Sequence, residues 1–277
     1  MELLKGAGAA KSLTEKAAAI SKSLSRAPKL VMIRFGENES DISYENGAKK
    51  RMQKCGIDCE AAVFAADTDP EAFFESFAKI NADPGVDGIL VLQPLPKTIS
   101  RERLFSMMDP EKDMDCAVPS NMELLFEGKE KVCPCTPEAV VRMIEHAGIT
   151  LAGKHAVVIG RSMVVGKPLA IMLLNRNATV TICHSKTEGL SEVCRRADIV
   201  VAAVGRAEMI DGSYIGDGAA VFDVGINMNA EGKLVGDCRP DTMTHASYVT
   251  PVPGGVGSVT TSVLALHVAE AALRKGV

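Results

Sequence analysis

Apolar and polar positions alternate in short blocks along the first 120 residues. KLVMIRF (29–35) reads as a strand, SYENGAKKRMQKCG (43–56) lies on a helix, and DCEAAVF (58–64) reads as a strand. DPEAFFESFAKINAD (69–83) then reads as a helix and DGILVLQ (87–93) as a strand. This βαβαβ order predicts a parallel sheet with helices on its faces. A less regular stretch containing PLPKTIS and DPEKDMDCAVPS follows, and then TPEAVVRMIEHAG predicts a helix with Thr136 as N-cap and Pro137 at its first position.

A second alternating series begins at HAVVIG (155–160) and runs through KPLAIMLLNR, ATVTIC, LSEVCRRA, DIVVAAVG and AAVFDVG. Its strands are unbroken valine and isoleucine runs, as expected of a sheet covered on both faces. The predicted fold class is therefore α/β, with two α/β domains and a cleft between them. The expected boundaries are 1–120 for the first domain, completed by the C-terminal helix 258–277, and 121–257 for a Rossmann-like second domain.

Composition narrows the field. The 277 residues are 47% hydrophobic and 24% charged with net charge −4, a globular balance without the basic stripe that tracks a phosphate backbone, so no nucleic-acid partner is expected. No apolar run approaches the roughly 18 residues of a membrane span, and the opening segment, too charged for a secretory core, reads as an opening strand and an amphipathic helix. A cytoplasmic protein with no membrane partner is expected. The eight cysteines then read as reduced packing residues, and the close pair Cys133 and Cys135 lacks the second pair or histidine spacing of a zinc site. No metal is predicted.

The most specific local feature is VVIGRSMVVGKP (157–168), in which a buried strand ends at Gly160 and a helix starts around Gly166. Such a turn offers backbone N–H groups and a positive helix end to a pyrophosphate. Where a dinucleotide fold commonly places an acid on the adenosine ribose, this chain has His184, Ser185 and Lys186, with Arg161 in the glycine loop. Those groups donate to a ribose phosphate, which favours NADP over NAD, whereas the bland alternative is a solvated turn. AVFDVGIN (220–227) and YVTPVPGGVGS (248–258) also lie at strand ends, with glycines that admit a ligand to the backbone, and an X-Pro bond in the second could be cis.

Taken in order, GRSMVVGKP, CHSKT, FDVGIN, TPVPGGVG, PCTP and KDMD resemble the methylenetetrahydrofolate dehydrogenase/cyclohydrolase family over nearly the whole chain. The resemblance implies two α/β domains, NADP as hydride acceptor, a folate substrate and a homodimer built through the cofactor domains. It implies that Gly160, Arg161, Ser162 and Gly166 form the cofactor loop, that His184 and Ser185 lie beside the ribose phosphate, and that Ile226 lies on the nicotinamide side. It further implies that Tyr44 packs against the folate, that Asp115 holds the pterin, and that Pro253, Gly254 and Gly255 contribute to the substrate site.

The chain departs from the family pattern at points that matter for chemistry. Ala48 occupies the place of the lysine that assists water addition, Leu92 stands where a glutamine positions that lysine, and Gln93 follows one place later. Cys116 replaces a glycine and Ser258 a usual proline. Holding the bridge carbon against the nicotinamide suffices for hydride transfer, whereas hydration gains roughly 10²–10⁴-fold from a positioned acid or base. On an ideal helix Ala48 lies about 40° from Tyr44, but Lys49 and Lys50 lie about 140° and 120° away. The expected activity is an NADP-dependent dehydrogenase with doubtful cyclohydrolase activity. A fully bifunctional enzyme using another relay, for instance Gln93 with water, and a non-catalytic folate- or nucleotide-binding protein are the alternatives.

Overall fold

The computed structural model describes residues 1–277. In chain order its elements are β1 (Glu2–Leu3), α1 (Ala7–Ser23), β2 (Lys29–Phe35), α2 (Glu39–Lys54), β3 (Asp58–Phe64), α3 (Pro70–Ala82) and β4 (Gly88–Val91). Next come α4 (Arg101–Met107), α5 (Pro119–Phe126), α6 (Cys135–His146), β5 (His155–Ile159), α7 (Gly166–Leu174), β6 (Thr179–Cys183) and α8 (Leu190–Arg195). The remainder is β7 (Ile199–Ala202), β8 (Ala220–Asp223), β9 (Asn227–Met228), β10 (Leu234–Val235), β11 (Tyr248–Val249) and α9 (Gly257–Arg274). They form two compact units, one of Lys11–Cys133 with Thr261–Val277, the other of Met1–Ala10 with Pro134–Thr260. No helix is long and apolar enough to cross a membrane.

The first of these units holds a three-stranded parallel sheet in the order β3-β2-β4. Side chains alternate across it. Val31, Ile33, Phe35, Ile89 and Val91 pack with Phe73 and Phe77 of α3, while Arg34, on the other face, meets Glu45 of α2. The helix starts follow from short polar caps: the Asn38 side chain accepts from the Ser40 amide, Asp69 from Ala72 and Ser100 from Arg103. Helices α4 and α5 occupy the stretch whose pattern is less regular.

The second unit is a six-stranded sheet in the order β1-β11-β8-β7-β5-β6, parallel throughout. The chain passes from β5 to β6 on one side and then to β7 on the other, so the order reverses around β5. A ligand crevice belongs beyond the carboxyl end of such a strand. One expectation is corrected here. Helix α6 begins at Cys135 with Pro134 as its N-cap and no side-chain cap, so Thr136 and Pro137 lie inside the first turn. Pro137 is tolerated there because first-turn N–H groups have no intrahelical acceptor in any case.

Candidate active-site residues and family membership

Helix α2 leaves the carboxyl end of β2 and carries Tyr44 in its second turn, half-buried. Its buried stripe is Glu45, Ala48 and Met52, and Ala48 is 0% exposed. Glu45 is a buried carboxylate held from two sides: Arg34 Nε donates to Oε2 at 2.8 Å and Lys49 Nζ to Oε1 at 2.7 Å. Burial alone would raise its pKa, but the hydrogen bonds and charges of Lys49 and Arg34 outweigh that and hold it below the usual carboxylate range. The helix runs unbroken past Gly47, so Lys49 stays on the Glu45 side. Arg51 is engaged too, donating to Thr14 Oγ1 at 2.9 Å.

Asp115 belongs to a loop that runs alongside β4, with Asp113 bridged to Ile89 in parallel register and the Met114 amide donating to the Ile89 carbonyl. The shape of that loop is set by Asp113, a buried aspartate that sequence reading passed over. Its carboxylate accepts from the Asp115, Ala117 and Val118 amides and from Asn121 Nδ2. His267 of α9 adds a further tie, donating from Nδ1 to the Met114 carbonyl at 3.0 Å. Cys116 follows in the left-handed region at φ 53°, a conformation that glycine adopts without strain. The only sequence signal for Asp113 is its spacing, two residues before Asp115.

Gln93 follows β4 in a loop whose Gln93–Pro94 peptide is cis. The Leu92 amide donates to the Ile33 carbonyl and so continues the ladder of β4. Period-two alternation then gives Leu92 the face of Leu90. Gln93 lies past the end of β4, in the bend before the cis peptide, where strand alternation no longer sets its direction.

In the second unit the loops after β5, β6, β8 and β11 all emerge at the carboxyl edge. Gly160 adopts φ +136°, and a Cβ there would lie 2.3 Å from the Ala203 carbonyl oxygen; one on Gly166 would lie 2.1 Å from the Gly160 carbonyl oxygen. Only glycine permits this approach. Ser162 ties down the turn before α7, whose N-cap is Val165: its Oγ accepts from the Val165 and Gly166 amides, and its carbonyl accepts from Lys167. The first-turn amides of Gly166 and Lys167 are thus already paired with Ser162, that of Leu169 is paired with the Val165 carbonyl, and Pro168 has none. The exposed loop 161–164, rather than that turn, presents backbone to an incoming anion.

Around the end of β6, Thr187 Oγ1 accepts from the His184 amide, and the Lys186 amide donates to His184 Nδ1 at 3.1 Å. Nδ1 is therefore the acceptor and Nε2 carries the proton in the neutral ring, ready to donate. Ser185, Lys186 and Arg161 are exposed near these loops. Ile226 is 68% exposed and lines a cavity of about 290 Å³ with Leu234, Pro251, Pro253, Gly254 and Gly255. The Val252–Pro253 peptide is cis. A glycine turn that admits a pyrophosphate, donors at a ribose phosphate and an apolar wall beside them fit an NADP-type dinucleotide.

Comparison with known proteins agrees with this division of labour. Residues 4–115 match the tetrahydrofolate dehydrogenase/cyclohydrolase catalytic domain, and residues 134–276 match the NAD(P)-binding domain of the same family. The bifunctional protein FolD of Clostridioides difficile is 48% identical over 246 residues, 88% of this chain and 86% of that protein. The bifunctional FolD structure from Campylobacter jejuni superposes with a TM-score of 0.96 at 34% identity, covering 99% of both chains. The Trypanosoma brucei methylenetetrahydrofolate dehydrogenase-cyclohydrolase, solved with NADP cofactor and inhibitor, gives 0.93 at 32% identity over 99% of this chain and 98% of that one. With two domain matches in order and a relative at this identity, the chain belongs to the tetrahydrofolate dehydrogenase/cyclohydrolase family.

Proposed function

We propose that this protein is an NADP-dependent 5,10-methylenetetrahydrofolate dehydrogenase in which the second family step, hydration of the methenyl product, is weak or lost. The observation that carries the proposal is Ala48, fully buried with only a methyl group, beside a Lys49 that is committed to Glu45. The position where the resemblance places the partner glutamine is also apolar, being Leu92.

The unit of residues 11–133 and 261–277 takes the folate. Asp115 accepts the paired N–H donors of the pterin's amidine-like edge, a charge-assisted contact that fixes orientation as well as affinity. Tyr44 packs against the folate, and Asp113 and His267 hold the Asp115 loop in place. The second unit takes the cofactor, with the 161–164 loop at the pyrophosphate, His184 Nε2–H, Ser185 and Arg161 at the ribose phosphate, and Ile226 with Pro253, Gly254 and Gly255 toward the nicotinamide and substrate side. NADP, when bound, supplies the hydride-accepting ring. No protein base is needed for that step, since orientation of the reacting atoms is the principal requirement. Water addition differs, because a proton must leave the water and reach a folate nitrogen. The exposed edge strand β6, with Ile182 41% exposed, supports a homodimer through the cofactor-binding unit.

The naming of relatives as bifunctional favours a second reading, in which both steps run and hydration uses another relay. Purified protein assayed with methylene- and methenyltetrahydrofolate separately, with NADP and NAD, decides between them. NADP reduction with little enzymatic hydration supports the first reading; comparable rates support the second.

A further inference from the structure

Two buried carboxylates in the second unit stand behind the Ile226 cavity, whose wall Asp223 helps to form. Asp223 and Asp237 are 2% and 0% exposed. Asp237 closes β10 and reaches back across the edge of the sheet: its Oδ2 accepts from the Val204 amide at 2.6 Å and Gly205 at 3.0 Å, and its Oδ1 from the Arg206 amide at 2.8 Å and Asn227 Nδ2 at 2.9 Å. Asp223, the last residue of β8, accepts from the Gly225 amide at 2.9 Å and from the Asp237 and Cys238 amides at 2.9 and 2.8 Å. A Cβ on Gly225 would lie 2.4 Å from the Asp237 carboxylate carbon, and one on Gly236 would lie 1.8 Å from Asp223 Oδ2. The glycines are what let the two carboxylates sit this close to the chain.

The consequence concerns Ile226. Its preceding residue, Gly225, hangs from Asp223, and its following residue, Asn227, hangs from Asp237. Asp237 also holds Val204 to Arg206 at the exit of β7. The residues on both sides of one exposed apolar side chain, Gly225 through its backbone amide and Asn227 through its side chain, are thereby tied to the neighbouring strand exit by buried, charge-assisted hydrogen bonds. Such bonds are stronger and shorter than neutral ones and tolerate little displacement.

We propose that Asp237, supported by Asp223, is a positioning residue for hydride transfer, fixing where Ile226 presents the nicotinamide side of the site without touching cofactor or substrate. This rests on the reading of Ile226 given above. Asp237→Asn keeps the shape but turns one acceptor into an NH₂ donor facing backbone N–H groups; Asn227→Ala removes only the one side-chain tie and leaves the three backbone donors in place. Each variant is compared with the wild type in single-turnover NADP reduction, using methylenetetrahydrofolate with and without deuterium on the bridge carbon, and in binding of 2′,5′-ADP, which lacks the nicotinamide.

For Asp237→Asn the hydride step is expected to slow by about tenfold or more with a larger deuterium effect, while 2′,5′-ADP affinity stays within about twofold. Asn227→Ala is expected to move the same way by about threefold and decides the matter alone if Asp237→Asn does not fold. Equal losses in 2′,5′-ADP affinity and rate, or an unchanged hydride step with lower thermal stability, would show a merely structural network and overturn the proposal. A wild-type protein that binds NADP but does not reduce it with the folate overturns the functional reading itself, and the positioning role with it.

Discussion

Lys49 Nζ lies 2.7 Å from Glu45 Oε1, one turn back along α2, bound to a carboxylate that shares a buried stripe with Ala48 and Met52. The pair is joined to Arg34 through the same carboxylate, so the lysine that follows Ala48 in sequence is held by a partly buried ion network. Lys49→Ala should therefore leave the dehydrogenase rate, and whatever hydration is present, within about twofold of wild type. Steady-state assays of both steps check this. Loss of hydration in Lys49→Ala would mean that the lysine leaves Glu45 during turnover.

Removing the carboxylate has a different effect. Glu45→Ala leaves Arg34, 8% exposed, with a buried uncompensated charge, and is expected to destabilise by about 3 kcal/mol. Urea unfolding of the two variants should separate them, with Lys49→Ala losing no more than about 1 kcal/mol because its side chain is partly solvated.

Gly47 lies in the middle of α2, and a Cβ added there meets nothing within 4 Å. Gly47→Ala should stabilise by about 0.5–1 kcal/mol through a less flexible unfolded chain and better helix propensity. Thermal unfolding should shift upward by about 2 °C, with neither activity changed.

The sheets and most helices were legible because their signals are local. Valine and isoleucine runs mark β5 and β7, and β8 follows as the apolar AVF before Asp223. The opening strand and helix expected from the sequence are found as β1 and α1, the two-residue β1 held by its pairing of Glu2 with Tyr248 and Leu3 with Val249. What escaped depends on residues far apart in sequence. Asp113, Asp223 and Asp237 look like loop acids until folding surrounds them with backbone donors. Thr136 looked like a cap because its side chain suits that role, but Pro134 already supplies the extended backbone that starts α6. At the candidate site the motifs pointed to loops, whereas the commitment of Lys49 shows only through Glu45 one turn back and its second partner, Arg34 of β2.

Gly160→Ala should weaken NADP binding by about tenfold or more, because φ +136° is strained for any side chain and the new methyl meets the Ala203 carbonyl oxygen. Fluorescence titration with NADP checks this. Retained affinity would place the dinucleotide elsewhere.

Acid dependence of stability carries the mark of Asp223. Burial, opposed by its backbone donors and assisted by the Asp237 charge, raises its carboxyl from an ordinary 3.8 to about 6. Between those values the folded protein keeps a proton that the unfolded chain has lost, so this group's contribution to stability falls as pH rises through the window. Comparing unfolding free energies of wild type and Asp223→Asn from pH 4 to 6.5 should show the variant lacking that downward component. Identical slopes would contradict the assignment.

The central claim is that a buried alanine has taken the place of the proton carrier for hydration. Its most direct test is the ratio of methenyltetrahydrofolate hydration to methylenetetrahydrofolate oxidation in wild type and in Ala48→Lys, with folding of both confirmed by thermal unfolding. The wild-type ratio is expected to be lower by about 10²-fold or more than that of lysine-bearing relatives assayed alongside, and to rise in Ala48→Lys with oxidation retained. A wild-type ratio equal to that of those relatives would contradict it.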